Sequence, residues 1–228
     1  LVYAFFILQG LKIKLKMRYL FAICFFAVII YSPWVIRNYK VFNTFVFMQT
    51  SSGENLWAGN NIAASGSAIL MSGESVHTKM PQEMCRDLKN LDELGQLRYY
   101  KNYFLNFVKE KPLLFIQLFI KKFYYFWWFA PHTGVLYSKS WLYIYKLYYG
   151  ILFFLFIIGL LSSLRDKSRF PVILILCVYM LSLAFLHAIV NVDTRHRWTV
   201  EPIMIIFTSI GFFNLAGYLK IRRKNEDY

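Results

Sequence analysis

The stretch LLFIQLFIKKFYYFWWFAP, residues 113–131, decides how the rest of the chain is arranged. About 18 apolar residues suffice to cross a bilayer. Two features argue against crossing here. Lys121 and Lys122 would lie in hydrocarbon, at about 2.5–3.5 kcal/mol each. Residues 123–129 are all aromatic and carry the amphipathic ring chemistry of a membrane–water interface. The stretch is therefore read as an interfacial or re-entrant helix, set off by Pro112, which ends the helical pattern before it.

That reading fixes the sidedness of everything around it. Downstream, residues 141–164, 170–190 and 200–219 are apolar runs of about 20–24 residues, each long enough to span. They are separated by SLRDKSR and NVDTRHRW, and Lys146 is close enough to an end to snorkel. Upstream, residues 19–35 carry no charge and at about 1.5 Å per residue just cross the hydrocarbon. Residues 1–11 read as the tail of a helix already crossing, followed by Lys12, Lys14, Lys16 and Arg18. With 113–130 not spanning, the basic clusters 12–18, 165–169 and 220–224 share the cytoplasmic side, and the loop 191–198 faces away.

The expected fold class is all-α integral membrane: a bundle of about five transmembrane helices, the first one partial, with an external loop and amphipathic or interfacial helices between the second and third. Residues 1–35 form two transmembrane helices, 36–140 the extracytoplasmic segment, 141–219 three transmembrane helices, and 220–228 a basic cytoplasmic tail. The expected location is the cell (inner) membrane, multi-pass. Composition agrees: 58% of the 228 residues are hydrophobic and 20% aromatic. The mean hydropathy is +0.42, above that of an ordinary soluble domain. The net charge of +14 sits beside the apolar runs, so anionic lipid rather than nucleic acid is the expected partner.

No glycine motif for phosphates and no zinc spacing is present, so no cofactor is expected, a divalent metal staying open. Cys24, Cys85 and Cys177 are far apart and read as structural. The chain opens within an apolar run without an initiator Met and is read as a piece of a longer protein. TSSGENLWAGNNIAASGSA, residues 50–68, has the composition of turns and predicts little regular structure. After Pro81, Leu91, Leu94, Leu97, Phe104 and Val108 recur at helical spacing and predict the packing face of an amphipathic helix.

Two polar sets offer chemistry. Asp193, Arg195, His196, Arg197 and Glu201 are squeezed between two apolar runs. Two guanidiniums there oppose the positive-inside tendency, and their forked donors suit a lipid-linked phosphate. The structural alternative is that they pair with Asp193 and Glu201 or with headgroups, Glu201 before Pro202 also suiting a helix start. The second set is Arg37, Asn38, Glu54, Asn55, Trp57, Asn60 and Asn61. Such residues can hold a sugar by hydrogen bonds and ring stacking, or simply make a loop turn. His187 reads as a hydrogen-bonding residue between helices. His77 and His132 carry no signal.

SPWVIRNYKVFNTFVFMQTSSGENLWAGNN (32–61), YYKNYFLNFVKEKPLLFIQLFIKKFYYFWW (99–128) and DTRHRWTVEPIMII (193–206) together resemble a family. It is that of bacterial GT-C membrane glycosyltransferases related to dolichyl-phosphate-mannose protein mannosyltransferases and lipid A aminoarabinose transferases. The likeness covers most of residues 32–213. His196 replaces the usual Tyr, Thr199 the usual Pro and Lys111 the usual Asn.

The resemblance implies transfer of a sugar from a polyprenyl-phosphate carrier to a glycan, lipid or protein acceptor on the extracytoplasmic face. It also implies catalytic carboxylates in a first external loop upstream of this chain, so the catalytic residues here are unknown. Arg195, Arg197 and Glu201 would belong to the lipid-phosphate end, with Asn55 and Trp57 near the same cavity. Glu54 and Asp193 are the nearby carboxylates that could meet substrate. A noncatalytic membrane subunit or truncated paralogue is the alternative. A lipid or polysaccharide transporter is a further one, although mid-membrane ionisable residues expected of a transporter are absent from the three downstream runs.

Overall fold

The computed structural model describes residues 12–46, 49–130 and 138–226, with side chains up to 218. The partial first span, His132 and the side chains of the basic tail lie outside the described residues. Regular structure in the described residues is helical, and the extended backbone amounts to an isolated bridge between Ile69 and Ser75. In chain order the helices are α1 (Ile13–Phe42), α2 (Ser52–Gly59), α3 (Gln82–Lys89), α4 (Glu93–Glu110), α5 (Pro112–Trp127), α6 (Lys139–Ser163), α7 (Phe170–Ile189) and α8 (Glu201–Glu226). Short 3-10 turns lie at Val76–Lys79 and Thr194–Thr199.

Helices α1, α6, α7 and the Glu201–Tyr218 part of α8 are long and apolar enough to cross a membrane. The chain is an all-α, multi-pass membrane protein. Helix α1 overruns its expected end. Its 30 residues extend about 45 Å, so Lys14, Lys16 and Arg18 occupy its first turns. Arg37 and Asn38 lie in its last turns rather than in a following loop. It stops at Asn43, whose φ of 48° is the left-handed conformation that closes many helices.

Helices α6 and α8 touch backbone to backbone. A Cβ at Gly159 would sit 1.8 Å from the Phe207 carbonyl oxygen, and one at Gly211 2.1 Å from that of Leu155. In lipid, where apolar side chains gain nothing by leaving solvent, such close approach and the hydrogen bonds it permits hold helices together. Here Thr208 Oγ1 donates to the Leu152 carbonyl at 3.2 Å and Asn214 Nδ2 to Ser162 Oγ at 2.7 Å. Helix α5 has only 16 residues and packs on the last turns of α7. Phe119 and Phe123 lie 5.8 and 5.1 Å from the Phe185 ring, and Phe126 stacks on His187.

The polar segment corrects one expectation. Ser52–Gly59, read as irregular from its composition, is helical. Burial outweighs local preference: Trp57 and Ala58 are 1% and 2% exposed. Gly53 lets α2 lie against the Leu97 carbonyl of α4, where a Cβ would come within 2.9 Å. Trp57, Leu70, Val76, Met84, Leu88 and Tyr100 form a second core around this contact. Helix α4 starts where Asp92 accepts from the Gly95 amide at 2.8 Å. The face it buries is centred on Gly95, Tyr100 and Phe107; Leu91 precedes the helix and is exposed.

Candidate functional site

The last carbonyls of a helix have no intrahelical donor, and at the end of α7 two side chains from elsewhere supply them. Asn60 Nδ2 donates to Ile189 O at 2.9 Å and Val190 O at 3.1 Å, as well as to Leu56 O in its own helix. Lys122 Nζ donates to the same two carbonyls, each at 3.1 Å, and to Asn60 Oδ1 at 2.8 Å. An ammonium at a helix C-terminus also meets the negative end of the helix dipole. Lys122, expected at a membrane interface, is 0% exposed and sealed inside protein, while Lys121 beside it is exposed. Burial pushes the Lys122 ammonium down to about 7.

The same contact brings the two polar sets together. Gly59 lets α2 close on α7: a Cβ there would lie 1.9 Å from Val190 O. Asn191 Nδ2 reaches Asn55 Oδ1 at 3.4 Å, and the Val192 amide donates to Gly66 O at 3.1 Å. Asn61 is spent within its own turn, donating to Trp57 O and accepting from the Ala63 amide. Trp57 is packed beside His77 and Tyr100, at ring distances of 5.2 and 6.1 Å. Its burial leaves no ring face for a sugar. Glu54 Oε1 lies 2.8 Å from His77 Nε2, and His77 Nδ1 lies 3.0 Å from Ser75 Oγ.

The 3-10 turn Thr194–Thr199 is closed reciprocally. The Asp193 carboxylate accepts from the His196 amide, and the Asp193 amide donates to His196 Nδ1 at 3.1 Å. The His196 ring stacks on His187 at 4.0 Å. Burial, with help from His187 and Arg195 and against Asp193, holds the His196 imidazolium down to about 4. The two arginines of the turn differ sharply. Arg195 pairs with Asp193 at 3.1 Å and is 70% exposed, a geometry worth little in water.

Arg197 is 1% exposed and donates from Nε to Glu201 Oε1 at 3.1 Å. Its guanidinium carbon lies 3.9 Å from the Tyr149 ring centre and 5.5 Å from that of Phe129, close enough for both rings to attract the charge. Among the described residues neither terminal guanidinium nitrogen has a hydrogen-bond partner. Glu201, one-third exposed, lines a cavity of about 120 Å³ with Tyr145, Tyr149 and Thr208 between α6 and α8.

Of the sequence-derived site residues, Arg197 and Glu201 form one unit and Arg195 and Asp193 another. Asn55 lies beside the end of α7, Glu54 meets His77, and Trp57 is core. The roles of Lys122, His77 and Tyr149 at this site have no local signal: the partners of Lys122 are 62 to 68 residues away. Among the described residues no group of three His, Cys, Asp or Glu is disposed to hold a metal. No protein-family model, curated protein or solved structure matches the chain.

Proposed function

We propose that the chain belongs to a membrane glycosyltransferase of the GT-C kind. It moves a sugar from a polyprenyl-phosphate carrier to a glycan, lipid or protein acceptor on the extracytoplasmic face of the inner membrane. The observation that carries this reading is Arg197. A buried guanidinium whose terminal nitrogens have no hydrogen-bond partner among the described residues is costly. Phosphate oxygens are the acceptors its fork matches. Glu201 Oε1 accepts the hydrogen bond from Nε and fixes the plane of the fork, leaving the two outer nitrogens for a ligand. A departing polyprenyl phosphate gains negative charge, and a preorganised cation in a water-poor site stabilises that charge. The basic flanks of the spans support placing this end of the bundle away from the cytoplasm.

The test is transfer from a polyprenyl-phosphate sugar by the full-length protein in membranes. Arg197→Gln should lower kcat by about 100-fold, the usual scale for one lost charge-stabilising donor, whereas exposed Arg195→Gln should change it by less than about threefold. Equal activity of wild type and Arg197→Gln refutes the phosphate role. The second reading, a noncatalytic membrane subunit, is favoured by the internal use of Trp57, Asn60 and Asn61, which leaves less of the second polar set for substrate. It predicts no transfer by the wild-type protein.

A further inference from the structure

Two cavities outside the site above meet at one residue. The first is an apolar groove of about 380 Å³ along α1, lined by Ala27, Val28, Tyr31, Ser32, Val35 and Phe45. The second is a cleft of about 470 Å³ between the chain leaving α1 and the faces of α2 and α4, lined among others by Thr44, Phe45, Gln49, Ser52, Arg98 and Lys101. Phe45 belongs to both. The junction is held by Asn38, 2% exposed, whose Nδ2 donates to Val46 O at 3.1 Å and so folds the chain back against the end of α1.

Hydrocarbon on one side and cations on the other match an anionic amphiphile. Arg98 and Lys101 are one turn apart on α4 and exposed, and no ion pair occupies either among the described residues. Glu93 in the first turn of the same helix is engaged by the Thr50 hydroxyl. Thr44 and Gln49 add donors for phosphate and ester oxygens. Among the described residues none in the apolar window of α1 is buried, so its exposed face is offered to the hydrocarbon of the bilayer. A net charge of +14 disfavours a second copy of the chain on this face and favours an anion.

We propose that groove and cleft together hold one anionic phospholipid of the surrounding bilayer, with its phosphate on Arg98 and Lys101 and an acyl chain along α1. This rests on α1 spanning the membrane and not on sugar transfer. Native mass spectrometry of the full-length protein in zwitterionic detergent tests it, comparing retained phosphatidylglycerol with phosphatidylcholine of the same chains.

Two cations at roughly fivefold each give a preference of about 25-fold for the anionic lipid. Arg98→Gln with Lys101→Gln should abolish that preference, and Arg98→Lys with Lys101→Arg should keep it, with unfolding midpoints unchanged in both. Val28→Trp, which fills the groove without touching charge, should weaken retention of both lipids. The proposal is overturned by equal retention of the two lipids, by an unaltered preference in the double Gln variant, or by displacement with millimolar inorganic phosphate. Stronger retention of a polyprenyl phosphate than of phosphatidylglycerol also overturns it, assigning the cleft to a carrier.

Discussion

Replacing Gly59 by Ala tests how α2 is fixed to the membrane helices. The new Cβ would lie 1.9 Å from Val190 O, 2.9 Å from the Val190 carbonyl carbon and 3.0 Å from Asn191 Cα, all backbone atoms with no flexible end to swing aside. Ordinary C···O contact begins near 3.3 Å, so α2 must retreat by about 1.4 Å. The Asn60 bonds to Ile189 O and Val190 O, now 2.9 and 3.1 Å, would pass beyond hydrogen-bonding range. Lys122 would lose its shortest contact, to Asn60 Oδ1.

Two neutral hydrogen bonds at about 1 kcal/mol each, one charge-assisted bond at about 1.5–3 kcal/mol and overpacking of about 1–3 kcal/mol oppose a gain of about 1 kcal/mol in helix propensity. The net loss is about 3.5–7 kcal/mol, a large part of a typical folding free energy. Thermal unfolding in detergent and hydrogen exchange over residues 52–61 read it directly. Gly217→Ala is the control, since nothing lies within 4 Å of its Cβ, and it should be neutral or slightly stabilising. A Gly59→Ala protein that melts at or above the wild-type temperature with full protection of residues 52–61 would refute the reasoning.

Two further perturbations probe the bundle. Gly159→Ala would place a Cβ 1.8 Å from Phe207 O, driving α6 from α8 and weakening the Thr208 and Asn214 bonds, for a loss of about 2–3 kcal/mol in unfolding assays in lipid. The His196 ring, held down to about 4 against an ordinary 6.5 by burial, makes stability depend on acidity. The unfolded chain binds the proton first, so this contribution is complete above pH 6.5 and declines as pH falls toward 4, at no more than about 1.4 kcal/mol per pH unit. His196→Gln should flatten that part of the stability profile; an unchanged slope would remove His196 as its source.

The apolar spans were legible because the property that makes them is local. Residues 141–164 and 170–190 read as spans, and the helices run Lys139–Ser163 and Phe170–Ile189. Pro112 divides α4 from α5 as its missing amide requires. The helix at Ser52–Gly59 was not legible, since its Ser, Gly and Asn favour turns until Trp57 finds a core and two glycines find neighbouring backbones. Arg197 and Glu201, four apart in sequence, were foreseeable as a pair. That Arg197 is buried against Tyr149 while Arg195 stays in solvent is set by α6, which the turn's own residues do not encode.

Residue chemistry alone establishes lipid as the solvent, the positions of four helices long and apolar enough to span, and the clusters of charge, because transfer of a side chain from water depends mainly on that side chain. Packing between distant segments is what makes Lys122 and Asn60 finish α7 and turns Trp57 into core. Those outcomes depend on a buried polar group finding partners, and the partners come from positions up to 130 residues apart.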